Sequence, residues 1–197
     1  MIRRVEQPVV LASIVEGHGD VAAMPVLLSR LVRSLGVNAY FEIRPAQRVH
    51  KDRMIDPVAM GSYLNTAAAQ IEGPGAIIIA RDADDQAACI LGPQILDVAR
   101  SVRRDRDIIV AVFEREFEAA FVAAARSLGC NTGEAPSVRD AKGAVRRMLG
   151  RKYTETVDQA ELVRLMDVEQ ACCVPSFARL RRKIGSIVTD EPQAQYL

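Results

Sequence analysis

A chain of 197 residues with 49% hydrophobic content is long enough for one compact domain with a substantial core. Its 26 Lys and Arg nearly balance its 25 Asp and Glu, so the molecule is no polycation, and any affinity for nucleic acid has to come from local patches. The four cysteines (Cys89, Cys130, Cys172 and Cys173) form no Cys-x-x-Cys pair and are accompanied by only two histidines, His18 and His50, which argues against a tetrahedral zinc site and against a secreted disulfide framework. The opening Met1-Ile2-Arg3-Arg4-Val5-Glu6 has no long apolar h-region, and no run approaches the roughly 18 apolar residues of a membrane span. A soluble, cytoplasmic protein with no membrane association is expected.

In chain order, the apolar run 9–15 reads as a buried strand, followed by a tight turn through Gly17 and Gly19. Asp20 is placed to cap a helix whose apolar positions Ala23, Val26, Leu27 and Leu31 recur at helical spacing, and Gly36 ends it. Residues 38–44 predict a second strand stopped by Pro45, and the polar, basic segment 44–53 predicts a loop. A helix over 57–71 leads through Gly73-Pro74-Gly75 into a third strand, 76–80. Gly92-Pro93 precedes a helix over 94–104, and 108–113 makes a fourth strand.

Beyond that strand the pattern turns helical. Helices are expected over 114–128, 142–149, 159–166 and 176–187, the last capped by Ser176 after Pro175. A loop is expected over 129–136, and fraying over 190–197. Strand and helix in alternation mark an α/β domain with a largely parallel sheet of about four strands and helices on both faces. Residues 1–128 are expected to form this α/β core and 129–197 a helical C-terminal extension of the same domain.

Two acidic clusters directly follow strands: Glu16 in Val15-Glu16-Gly17-His18-Gly19-Asp20, and Asp82-Ala83-Asp84-Asp85. In an open parallel sheet, loops leaving the carboxyl ends of adjacent strands meet in one crevice. Carboxylates gathered there repel one another by about 4 kcal/mol per pair at about 4 Å in an effective dielectric near 20. A hard divalent cation with oxygen ligands, Mg²⁺ before others, answers that repulsion. On an extended strand Asp82 and Asp84 share a face about 6.6 Å apart, within reach of one cation or two adjacent ones. No GxxxxGK[ST] phosphate loop and no convincing GxGxxG occurs, so ATPase and dinucleotide-dehydrogenase readings rank low.

Glu-Gly after an apolar strand, followed much later by a strand ending in Asp-x-Asp, resembles the Toprim domain of topoisomerases, primases, recombination proteins and the overcoming-lysogenization-defect nucleases. The closer resemblance is to a family of compact standalone Toprim-like proteins that includes the nuclease effector of the PARIS anti-phage system. It extends over almost the whole chain, through Glu16-Gly17-His18-Gly19-Asp20, Arg81-Asp82-Ala83-Asp84-Asp85, Arg115-Glu116-Phe117-Glu118-Ala119, Asp140-Ala141-Lys142-Gly143, Asp158-Gln159-Ala160-Glu161-Leu162 and Ser176-Phe177-Ala178-Arg179-Leu180. One departure is Ala120, where many relatives carry a large aromatic; Phe121 is available to fill that volume.

The resemblance implies a Toprim/Rossmann-like sheet, Mg²⁺ or Mn²⁺ at its acidic edge and hydrolysis of DNA or RNA phosphodiesters, in an anti-phage setting with a controlling partner protein. It implies metal binding by Glu16, Asp82 and Asp84, with Glu16 also as general acid or base. Glu116 resembles the additional acidic ligand of the nuclease branch, and Lys142 supplies positive charge to the transition state. The alternative is a Toprim module that binds nucleic acid or a partner without cutting. A homodimer also stays open, although no heptad seam supports one.

Read as plain side chains, Glu16 and Asp20 are also helix caps, Glu114, Glu116 and Glu118 are first-turn helix acids, and Asp85 caps or assists from behind. The arginines around Lys142, the 44–53 segment and the run Arg179, Arg181, Arg182 and Lys183 are either solvated faces or phosphate contacts.

Overall fold

The computed structural model describes residues 7–131, 135, 137 and 139–188. Strand β1 (Val9–Val15) is buried along its whole length because it has a neighbour on each side and helices above and below. On one side it pairs with β2 (Phe41–Ile43) and then with β3 (Gln47–Arg48); on the other with β4 (Gly75–Asp82), which in turn pairs with β5 (Asp107–Phe113). Every pairing is parallel, and the main strand order is β2-β1-β4-β5. A sheet covered on both faces needs strands that are apolar throughout, which is why 9–15 and 76–80 read as continuous hydrophobic runs rather than as alternating ones.

The alternation survives in where the side chains go. Val9, Leu11 and Val15, with Ala76, Ile78 and Ala80, face one core; Val10, Ala12 and Ile14, with Ile77 and Ile79, face the other. Helices α2 (Pro57–Ala69) and α3 (Ala88–Val102) cover the second core through Met60, Leu64, Leu91 and Ile95. The first is covered by α1 (His18–Ser34), α4 (Ala119–Ala123), α5 (Ala141–Leu149), α6 (Glu155–Leu165), α7 (Val168–Ala171) and α8 (Pro175–Gly185). At its centre the ring of Phe113 lies 4.7 Å from that of Phe177 and 5.0 Å from that of Phe117, so the C-terminal helices share the core of the sheet. Phe121 is fully buried at 5.7 Å from Phe117, beside buried Ala120.

The sheet has five strands rather than about four. Pro45 has no N–H to give to a ladder, so the second strand breaks there, and the basic segment expected as loop contributes β3 and a single 3-10 turn, Lys51–Arg53. Helix α3 starts at Ala88, well before Gly92-Pro93, because Leu91, Ile95 and Ala99 form one buried stripe that includes the first turn; Pro93 sits inside the helix. The helix expected over 114–128 contracts to α4, since Arg115 adopts a left-handed backbone with φ 67° and breaks the run at its start. Val174, not Ser176, occupies the N-cap of α8, with Pro175 in the first turn and Ser176 buried. The short α7 was not foreseen. The expected loop 129–136 is described only in part, and the expected fraying of 190–197 falls outside the described residues. No helix among the described residues is long and apolar enough to cross a membrane.

Candidate functional site

Parallel strands deliver their carboxyl ends to one edge, and here the register decides which residues meet. Val15 pairs with Ala80, which sets Glu16 beside Arg81, and Asp82 pairs with Phe113. The loops leaving β1, β4 and β5 enclose a crevice of about 250 Å³ whose lining includes Glu16, Asp20, Asp82, Asp84, Glu118 and Lys142.

Glu16 stands over a buried arginine. The Arg81 side chain is only 6% exposed, and its Nε lies 3.6 Å from Glu16 Oε2. Its other nitrogens are committed to neighbours, Nη2 to Gln86 Oε1 at 3.0 Å and Nη1 to the Lys51 carbonyl at 3.4 Å. Glu16 Oε2 and Arg81 Nε are both buried without a hydrogen-bond partner among the described residues, so the pair interacts by charge alone. Burial raises the Glu16 carboxyl above the usual range, against the pull of Arg81 and with a further push from Asp84.

Asp82 and Asp84 do not share an extended face. The strand ends at Asp82, and Asp84 turns into the left-handed region with φ 52°, a conformation aspartate tolerates better than most residues. Its N–H donates at 3.1 Å to the carbonyl of Arg115, the other non-glycine residue with a left-handed backbone among the described residues, so the loops after β4 and β5 brace each other. The two carboxylates therefore part. Asp82 turns inward and accepts from Phe117 N at 2.9 Å; desolvation first, then the charges of Glu118 and Asp20, raise it well above the ordinary aspartate range. Asp84 faces outward and accepts from Lys51 Nζ at 2.9 Å, while Ala83 between them is buried in the second core. Both aspartates still line the same crevice.

Lys142, from the first turn of α5, enters from the opposite wall and pairs with Glu155 Oε1 at 3.0 Å. Its burial works against the charge, but Glu118, Glu155 and Asp82 outweigh that penalty and hold the ammonium above the usual lysine range. Glu118 is 1% exposed; Oε1 accepts from Tyr153 Oη at 2.8 Å, and Oε2 has no partner among the described residues. Burial lifts this carboxyl to about 7 against the opposing effects of Lys142 and Tyr153. Asp20 completes the wall, accepting from Gly17 N at 3.0 Å and from Gln159 Nε2 at 2.8 Å. Helices α1 and α6 approach so closely there that a Cβ on Gly19 would overlap Gln159 Oε1 and stand 2.8 Å from the Glu155 carbonyl.

Glu116 lies apart from this lining. Its Oε2 accepts from the backbone N of Lys142 at 2.9 Å, next to Asp140 Oδ1, which accepts from Gly143 N at 2.8 Å. Both carboxylates satisfy N–H groups at the start of α5, and Glu116 thereby fixes the backbone that carries Lys142. The crevice thus brings together Glu16, Asp82, Asp84 and Lys142 and leaves Glu116 behind them. The sequence reading gives Arg81, Tyr153 and Gln159 no role in the site, weighs Lys51 only as part of the basic 44–53 segment, and reads Glu118 as structural. The signals for the missed residues were weak: Arg81 sits at the tail of a buried strand, and Glu118 follows a phenylalanine that had to point inward.

Among the described residues, no three His, Cys, Asp or Glu side chains are grouped tightly enough to hold a metal ion as they stand. The donor chemistry nevertheless suits a hard cation: the acids offer carboxylate oxygens, and among the described residues the buried Glu16 Oε2 and Glu118 Oε2 have no hydrogen-bond partner. Two internal cations already answer part of the charge, Arg81 at Glu16 and Lys51 at Asp84. Comparison with family models, with curated proteins and with solved structures gives no match to this chain.

Proposed function

We propose that the protein is a Toprim-type, metal-dependent nuclease that hydrolyses phosphodiester bonds of DNA or RNA. The observation that carries this reading is the meeting of Glu16, Asp82 and Asp84, from the ends of two adjacent parallel strands, in one crevice faced by Lys142. Glu16, Asp82 and Asp84 are the residues that would hold Mg²⁺ or Mn²⁺, with Glu118 rather than Glu116 as the fourth acid at hand. The ion would supply a Lewis acid and an acidified water. Lys142, kept charged by its acidic neighbours, offsets negative charge building on the phosphoryl oxygens. In the metal-free site Glu118, lifted to about 7, is the carboxyl suited to exchange a proton near neutral pH. Glu116 is a positioning residue that acts through the Lys142 backbone. The resemblance to the standalone Toprim-like family adds a role in bacterial anti-phage defence under a controlling partner.

The test is incubation of purified protein with labelled DNA and tRNA in Mg²⁺, Mn²⁺ or chelator, alongside Glu16→Ala. Cleavage should require the metal and vanish in the variant while its thermal transition is kept. Metal-dependent cleavage retained by Glu16→Ala overturns the assignment. A second reading, a module that binds without cutting, draws on the two internal ion pairs at Glu16 and Asp84, which let the acidic edge stand without a bound ion. Stable complexes without product in every metal condition select it.

A further inference from the structure

The acidic crevice has a second wall, built by β3. This strand lies on the far side of β1 from β4, with Ile14 paired to Gln47 and Val15 to Arg48, and the Val49 N–H fixes it there by donating to the Val15 carbonyl at 2.8 Å. Paired residues of parallel strands point to one face of the sheet, and neighbours along a strand point to opposite faces. Gln47 points toward α2, where its Nε2 reaches the Tyr63 carbonyl at 3.5 Å, and Val49 is buried in the second core on that same side. Arg48 therefore points to the other face, with Val15, where α1 begins. Both histidines of the chain, His18 in the first turn of α1 and His50 just after β3, line the crevice with it. This wall offers hydrogen-bond donors where the opposite one offers carboxylates.

The three cationic side chains of the lining differ in what they hold. Lys51 is 2.9 Å from Asp84, and Lys142 is 3.0 Å from Glu155. Arg48 shares the crevice with six carboxylates, yet among the described residues its exposed guanidinium has no hydrogen-bond or ion-pair partner. The sheet supplies the reason. Adjacent strands are about 4.8 Å apart, so β3 stands about 5 Å from β1 but about 10 Å from β4, whose end carries Asp82 and Asp84. Glu16, on the nearer strand, faces Arg81. The counter-charge for Arg48 has to come from outside the chain, and its planar fork matches two oxygens of one phosphate.

We propose that Arg48 clamps a phosphate of a nucleic-acid strand at the rim of the crevice opposite Asp82 and Asp84. This rests on reading the crevice as a site for phosphodiester chemistry. Placed one strand beyond β1, the guanidinium meets the substrate without competing for the oxygens that would hold a metal ion. The competing account is an arginine that only meets water.

The two accounts separate in fluorescence anisotropy of labelled single-stranded DNA and RNA oligonucleotides with the full chain, from about 50 to 200 mM salt. Ca²⁺, which takes oxygen ligands as Mg²⁺ does, is present throughout. Wild type is compared with R48Q, R48K and R33Q, thermal melts verifying the fold and gels the intact oligonucleotide. R48Q should weaken binding about tenfold and flatten the slope of log K against log salt by about 0.7, the value for one phosphate contact to a single strand. R48K keeps the charge without the fork, so it should keep the slope and lose part of the affinity. R33Q removes the same charge at the far end of α1 and should bind like wild type. Wild-type affinity and slope in R48Q overturn the clamp, and Mg²⁺ uptake, read by calorimetry on wild type, judges the crevice reading separately. Loss of that uptake in R48Q also overturns the clamp, because Arg48 would then support the metal site. Inorganic phosphate that displaces the oligonucleotide at equal concentration would make this a small-anion site and overturn it, as would a wild type that binds neither oligonucleotide.

Discussion

Glu118→Gln should make the metal-free protein more stable at pH 8 while leaving it nearly unchanged at pH 4.5. The carboxyl is 1% exposed and lifted from 4.5 to about 7, so the folded state binds its proton more tightly than the unfolded chain does. Stability from this group is therefore fully present below about pH 4.5 and is lost as the pH rises through about 7. At about 1.4 kcal/mol per pH unit, a shift of this size amounts to roughly 3 kcal/mol. Glutamine copies the neutral acid, keeps an oxygen for Tyr153 Oη and has no proton to lose. Lys142 retains Glu155 as its partner in the variant. In a chain of this size about 3 kcal/mol corresponds to roughly 6–12 °C in melting temperature. The assay is thermal and urea unfolding of both proteins in chelator at half-unit steps from pH 4.5 to 8.5. Glu16, Asp20 and Asp82 are also raised and titrate in both proteins, so the difference between the curves reports Glu118 together with its charge coupling to Asp82. Parallel curves, or a variant that is less stable at pH 8, would show that Lys142 holds Glu118 ionised and would refute the reasoning.

Lys51→Ala should tighten Mg²⁺ binding by a few-fold, because the ammonium competes with the cation for Asp84; the pair is half-exposed, which limits its worth to about 1 kcal/mol or less. Calorimetry or a competitive metal-indicator dye reads this, and an affinity that falls would mean that Lys51 assists the site. Gly19→Ala should cost about 1–3 kcal/mol of stability, since the new methyl group meets the Glu155 backbone, which cannot swing aside as a side chain can. Urea denaturation measures it, and an unchanged midpoint would mean that α1 and α6 slide apart freely.

Much of the fold was legible because β1, β4 and β5 are built on short apolar runs, and β1 matches its expected span to the residue. Helix starts were less legible, because tertiary packing decides them: Leu91 draws the first turn of α3 onto the second core, whatever Gly92 and Pro93 suggest locally. The edge carrying Glu16, Asp82 and Asp84 could be placed from strand ends alone. Direction of the side chains could not, since the left-handed turn at Asp84 is held by Arg115, thirty-one residues away in the chain. The same holds for Glu116 and Glu118. Both lie near the end of β5, and only the arrival of α5 and of Tyr153 sends one carboxylate to a helix terminus and the other into the crevice.

The most direct test of the account is isothermal titration of Mg²⁺ and Mn²⁺ into the metal-free protein, with E16Q/D82N as the comparison. Wild type should take up the ion saturably, and the double variant, folded by its thermal transition, should not. No uptake by wild type, or undiminished uptake by the variant, would contradict the claim that these carboxylates form one cation site.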